Sequence, residues 1–239
     1  MIDGADTLMH KPQALVLDAE GNHLQLIDNL DIAPRLLAIE LSSQAQTVIS
    51  GEGVGAGVAL IEPASIALDS ANNRVLVTDQ SMAALVAIDL GSGERTLVSS
   101  DASEGPSFDS PSAVVLAEGG ATALVADAEQ ATLFSVDLAT GARSVVSGVN
   151  PDTGEIVGPD SDLFPVVGMV LDQANNRVVV IRESEGPLLQ SVDLATGVVS
   201  EISSFGVGEG LRFREPNHLL LKQDNRLRYW MKLSARSTR

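Results

Sequence analysis

Apolar and polar residues alternate in short runs along most of this chain, and the runs come in fours. In the stretch that begins at Pro63 they read SIALD, RVLVTD, ALVAIDL and RTLVSS, separated by clusters of Gly, Asn, Asp and Ser. Runs of this length, alternating or β-branched and bounded by turn formers, predict short antiparallel strands joined by hairpins. The third and fourth runs are linked by DLGSG, where Asp bonds backbone amides and Gly takes positive φ. The ANN between the first two runs does similar work.

The same phrase recurs. PSAVVLAEGGATALVADAEQATLFSVDLATGARSVVSG begins at Pro111, VVGMVLDQANNRVVVIRESEGPLLQSVDLATGVVSEISS at Val166, and a fainter PQALVLDAEGNHLQLIDNLDIAPRLLAIELSSQAQTVIS at Pro12. The equivalent acidic residues Glu40, Asp89, Asp137 and Asp193 are spaced by 49, 48 and 56 residues, a period in the range of propeller blades. One twisted four-stranded sheet cannot bury both its faces, so neighbouring sheets must stack to make a core. The expected fold is therefore all-β, a β-propeller of four-stranded antiparallel blades at about 12–50, 63–100, 111–148 and 166–204. LRFREPNHLLLKQDNRL opens a partial fifth blade over 211–227.

Residues 228–239 break the pattern. Arg74 is followed by VLVTDQ, but the equivalent Arg226 is followed by LRYWMK, which puts Arg, Trp and Lys into a strand that should alternate into the core. Read one base earlier, the codons from Arg228 to Lys232 encode an aliphatic residue, Leu, Asp and Glu whatever the synonymous choices. The Asp then falls where Asp28, Asp79 and Asp127 stand. The expectation is an atypical basic tail translated out of frame, with a basic docking segment as the rival reading. A shortened propeller would leave bare strand edges, which predicts self-association.

Charge narrows the partners. A formal charge of −17 opposes broad contact with phosphate backbones or anionic membranes, so nucleic acid is not expected. No apolar run reaches the length of a membrane-spanning helix. The start, MIDGADTLMHKP, has neither the basic nor the apolar region of a signal peptide, and because the start can be displaced from the original one the compartment stays open. With no cysteine, the chain has no disulfides, thiolate metal sites or Cys nucleophiles.

The blade pattern, Pro followed by an aliphatic strand ending in Asp, then V-x-D, then a strand ending in V-D-L, resembles NHL-repeat and gluconolactonase-like (senescence marker protein-like) propellers from about Pro12 to Arg226. NHL-type propellers usually close with six blades, so the resemblance implies an incomplete ring of the six-bladed type. In the gluconolactonase-like enzymes, acidic and Asn side chains from separate blades hold a divalent cation at the channel, and oxygen ligands of this kind suit Ca²⁺. The corresponding stretches are KPQA, EPAS, SPSA, PVVG and EPNH. They offer Glu62, Glu215, Asn217 and His218 as metal ligands, while Lys11 and Val167 interrupt the ring. The expected function is thus a non-enzymatic binding or interaction platform for a small molecule or protein. The alternatives are a Ca²⁺-dependent lactonase or esterase of gluconolactonase type, inactive if truncated, and a structural segment of a larger surface protein.

Other motifs read as architecture. Asp28, Asp79 and Asp127 end a strand before a turn, where carboxylates satisfy backbone amides, and Arg182 takes that place in the fourth copy. Asp89, Asp137 and Asp193 read the same way at the third hairpin. GEGVGAG at Gly51 lacks the dinucleotide spacing and a following helix, so it is a linker. NPDTGEIVGPDSD, with Asp152, Asp160 and Asp162, lacks EF-hand spacing and reads as a solvated loop. His10, His23 and His218 are dispersed, and neither H-E-x-x-H nor G-x-S-x-G occurs.

Overall fold

Each apolar run becomes a strand. The structure, a computed structural model, describes residues 9–18, 20–29, 33–117, 119–158, 166–182 and 188–203, together with the backbone of 216–221 and 227–231. The first sheet is β1 (Pro12–Leu17), β2 (His23–Asp28), β3 (Arg35–Glu40) and β4 (Gln46–Ser50). The second is β5 (Pro63–Asp69), β6 (Arg74–Asp79), β7 (Ala84–Asp89) and β8 (Arg95–Ser99). The third holds β9 (Pro111–Leu116), β10 (Thr122–Asp127), β11 (Thr132–Asp137), β12 (Arg143–Val149) and a short β13 (Ile156–Val157). The fourth is β14 (Val166–Asp172), β15 (Arg177–Arg182), β16 (Leu188–Asp193) and β17 (Val199–Ser203), and a hairpin of β18 (Pro216–Leu221) and β19 (Leu227–Met231) follows. Strands neighbour each other in sequence order, as hairpin links require.

By internal packing the chain divides into two units, Met1–Val125 with Ser135–Ser144, and Ala126–Phe134 with Val145–Arg239. The core of the first unit joins Ile27 and Leu36 of the first sheet to Ile66, Val75, Val77, Val86 and Ile88 of the second. In the second unit Val179, Ile181 and Leu189 cluster, with Val170 and Ile202 packed against them. The second strands are buried on both faces: every residue of β6 after Arg74 is inside. A sheet covered on both sides needs continuous apolar runs such as VLV and VVVI, whereas the outer strand β8 shows the half-buried pattern of a sheet edge.

Two repeated ties that the strand pattern does not announce stiffen the stack. The hydroxyls of Ser50 and Ser99 donate to the carbonyls of Gly93 and Gly141 at 2.7 Å each, and Ser147 donates to Gly197 at 2.8 Å. Each joins the last strand of one sheet to the D-L-x-x-G turn of the next. Arginine provides the second tie. Arg143 donates to the Pro106 and Ser100 carbonyls at 2.6 Å and to Ser99 Oγ at 2.7 Å, with its guanidinium 4.9 Å from the Phe108 ring centroid. Arg95 makes the equivalent bond to the Val58 carbonyl at 2.6 Å. Each arginine thus pins the linker that precedes its own blade. Those linkers run so close to the sheet that a Cβ on Gly57, at φ +95°, would lie 1.8 Å from the Arg95 carbonyl oxygen, which accounts for the glycine run.

The first hairpins have their own device. Asp69 accepts both bonds of the Asn72 amide at 3.0 and 2.8 Å and the Arg74 Nε at 2.7 Å, around a 3₁₀ turn that ends on left-handed Asn73. Asp172, Asn175, Arg177 and Asn176 repeat it in the fourth sheet. Burial would raise the Asp172 carboxyl, but the bonds from Arg177 and Asn175 outweigh it and hold the group below its usual value.

Residues 150–158, read as part of a solvated loop, are exposed from 151 to 156 and hold a turn and a two-residue strand. Asn150 Oδ1 accepts the amides of Asp152 and Thr153 at 3.0 and 3.3 Å, reproducing the D-L-A-T-G turn with N-P-D-T-G. The chain then returns as β13, with Val157 paired to Gly148. Asp160 and Asp162 lie outside the described residues. In the last hairpin, Met231 pairs with Pro216 across the same irregularity that separates the Pro63–Asp79 pair from its neighbours. Met231 therefore holds the register place of Asp79. Among the described residues no helix is long and apolar enough to cross a membrane.

Candidate binding groove

The strand-end aspartates are fully buried and occupied by backbone. Asp28 accepts the amides of His10 and Lys11 at 3.0 and 2.6 Å on one oxygen, and Arg35 Nε and Nη2 at 3.2 and 3.0 Å on the other. Asp79 accepts the amides of Ile61, Glu62 and Met82 at 2.7, 3.1 and 3.1 Å. Asp127 accepts the amide of Gln130 at 3.2 Å. These carboxylates anchor the chain where it enters a blade and the turn that follows. Asp89, Asp137 and Asp193 each accept two turn amides and a hydroxyl, for Asp89 the amides of Gly91 and Ser92 at 3.0 and 2.7 Å. The bonds from Ser92, Thr140 and Thr196 hold the three carboxyls below their usual range.

Of the residues nominated as metal ligands, only Glu62 has a described side chain. Glu62 is exposed and accepts the Ser81 hydroxyl at 2.7 Å. Glu215 lies outside the described residues, and Asn217 and His218 are placed only as backbone positions of β18. Among the described residues, no group of three or more His, Asp or Glu side chains is positioned to hold a metal ion.

A different site emerges in the first unit, where a groove of about 520 Å³ opens between the first and second sheets. Its geometry follows from register. Across the first sheet, Val16, Gln25, Ala38 and Thr47 are successive cross-strand partners and share one face. The next row toward the hairpins pairs His23 with Glu40. Beside them, Asp18 accepts the Asn22 amide at 2.7 Å and bonds His23 Nδ1 at 3.0 Å. The backbone amide of His23, followed by its ring and the Asn22 amide, keeps the Asp18 carboxyl below its usual value despite some burial. Glu40 accepts the hydroxyls of Ser43 and Ser42, which lower its carboxyl in the same way. Glu20 completes the acidic rim, Leu68 and Leu90 of the second sheet form the opposite wall, and no Lys or Arg lines the groove.

Gln25 on this surface is 7% exposed, and its Oε1 is buried without a hydrogen-bond partner. At the equivalent position the other sheets carry Leu76, Leu124 and Val179, each buried. Reading the sequence for motifs missed this site. Setting the four copies against one another exposes it: Gln25 stands among aliphatics and Glu40 among aspartates, and beside them His23 takes a position held by Arg74, Thr122 and Arg177 in the other copies.

No known family model matches the chain, and no curated protein matches it in sequence. Solved structures do match in fold. The chain is similar to one in a nidogen/laminin complex, at TM-score 0.64 and 14% identity, with 91% of this chain and 71% of that one covered. Hydrazine synthase of Kuenenia stuttgartiensis follows at 0.61 and 14%, with 96% and 59% covered, and TolB of Acinetobacter baumannii at 0.57 and 13%, with 84% and 44% covered. These neighbours are propeller proteins, and the four-stranded antiparallel sheets described above are their building unit. The fold is a β-propeller. The chain spans 59% and 44% of the last two chains, and at these identities the likeness speaks of fold alone. Within the propeller, the groove lies where the first hairpin of blade one meets blade two, a place that owes nothing to the strand-end aspartates or to Glu62.

Proposed function

We propose that this propeller is a non-enzymatic binding platform and that the groove between its first two blades is where it takes a ligand. The observation that carries this reading is Gln25. A buried amide oxygen without a partner costs about 1–3 kcal/mol, and of the two such glutamines that stand where other blades are apolar, Gln25 and Gln190, Gln25 is the one that lines a groove. At the position of Gln25 the three other blades avoid that cost with Leu or Val. Recognition surfaces are often kept at the expense of stability, and a concave site with apolar walls and a few convergent polar groups has the general form of a ligand site. The NHL-type blade motifs agree with a rigid scaffold that presents loops and grooves, and a chain of similar fold is part of a nidogen/laminin complex.

The test needs no ligand. Gln25→Leu restores the aliphatic residue of the other blades and should stabilise the free protein by about 1–2 kcal/mol in urea unfolding. A clear loss of stability would mean that the amide has partners within the fold, and the reading would fail.

A further inference from the structure

We infer that the groove binds a small organic cation, a guanidinium or primary ammonium group on a short apolar stem. This rests on the groove being the ligand site and adds the chemistry of what enters it. Three carboxylates, those of Asp18, Glu20 and Glu40, line the groove beside one imidazole, His23, which is bonded to Asp18, and neither Lys nor Arg is among the described lining residues. Three carboxylates against one imidazole make the groove unfavourable to an anion, and the −17 charge of the chain draws cations toward it. The floor supplies a second, independent demand. Gln25 lines the floor and its Oε1 is a buried acceptor without a donor, so a turn of the side-chain amide presents it to the N–H groups of a guanidinium or ammonium, which are donors and nothing else.

The walls select the rest of the molecule. Leu68, Leu90, Ile49 and Ala38 present hydrocarbon beside the acidic rim, so a ligand that keeps its charge at the rim can lay an alkyl stem along them, as long cationic side chains do on protein surfaces. The substitutions peculiar to blade one serve this arrangement. In the later blades Asp89, Asp137 and Asp193 are folded back onto turn amides. Glu40, one methylene longer, accepts only the hydroxyls of Ser42 and Ser43 at its turn. Gln25 places an acceptor where Leu76, Leu124 and Val179 place methyl groups. Gln190, where Leu37, Val86 and Phe134 stand in the other blades, is a second buried glutamine with an unpartnered Oε1, but Gln25 is the one that lines a groove with Glu40 beside it.

The experiment is an amide-resolved NMR titration of the whole chain at low salt with butylguanidinium, and with the neutral isostere butylurea as control. The expected result is saturable shifts at the Gln25 side-chain amide and at Ala38, Thr47, Leu68 and Asn73, with butylurea at least about tenfold weaker. Glu20→Gln with Glu40→Gln should weaken butylguanidinium binding about tenfold while leaving the spectrum folded, and Gln25→Leu should weaken it as well. A capped Gly-Arg-Gly peptide distinguishes the source: binding at least as tight as butylguanidinium points to an arginine of a partner protein, and exclusion of the peptide points to a free metabolite. Equal responses to butylguanidinium and butylurea, or shifts that map outside the groove, overturn the inference. If Gln25→Leu stabilises the protein and no cation binds, the cation assignment fails and the binding-platform reading stands. If Gln25→Leu destabilises it, both fail.

Discussion

Replacing Arg143 with Ala tests how the blades are held together. The side chain is 5% exposed and makes three short hydrogen bonds, to the Pro106 and Ser100 carbonyls and Ser99 Oγ, with the Phe108 ring beneath it. Hydrogen bonds from a charged donor contribute about 1.5–3 kcal/mol each, and a cation–π contact about 0.5–2 kcal/mol. These do not add in full, because truncation also removes the cost of burying the guanidinium and lets water reach the carbonyls of linker 100–110. A net loss of about 3 kcal/mol is expected, a large share of the 5–15 kcal/mol that holds a typical domain together. Arg143→Lys should recover little, since a single ammonium cannot reproduce the fork. Arg95→Ala, at the more exposed equivalent site, should cost about half as much. Urea unfolding with unchanged m-values is the measurement, and limited proteolysis should locate the first new cleavage in residues 100–110. A loss below about 1 kcal/mol for Arg143→Ala, or a larger loss for Arg95→Ala, would refute the view that these arginines pin the linkers.

Three further outcomes follow from the same structure. Asp79→Asn puts an amide N–H against one of the backbone amides that Asp79 now accepts, and should cost about 2 kcal/mol in urea unfolding even though the two side chains are isosteric. Asp89, Asp137 and Asp193 have carboxyls lowered from the ordinary 3.8, so the stability they contribute is present above that value and is lost as pH falls through their folded values. The triple Asp→Asn variant keeps an acceptor for each turn and should show a shallower loss of melting temperature below pH 4. Added Ca²⁺ should leave the melting temperature unchanged at constant ionic strength; a rise that follows Ca²⁺ concentration would point instead to a metal site and would direct attention to Glu62, Glu215, Asn217 and His218.

The fold was largely legible because its signals are local. The four apolar runs of the second copy became β5 to β8, and D-L-x-x-G reports a turn whose Asp caps amides and whose Gly takes positive φ. What local signals do not carry is the environment between sheets. RVLVTD reads as a strand, yet nothing in its period says that both faces are covered. The serine and arginine ties are visible as repeated letters at Ser50, Ser99 and Ser147 and at Arg95 and Arg143, but their acceptors lie more than 35 residues away in sequence. The turn within N-P-D-T-G went unread because its turn residue is Asn150 rather than Asp. Gln25 was missed for a related reason. A glutamine in a strand is unremarkable by itself, and its isolation appears only when packing is known or when the position is compared with Leu76, Leu124 and Val179.

A crystal structure of the chain grown with butylguanidinium tests the central claim most directly. The account predicts the guanidinium between Glu20 and Glu40, with one N–H donated to Gln25 Oε1 and the butyl stem against Leu68. An empty groove in which the Gln25 amide is already bonded within the protein would contradict it.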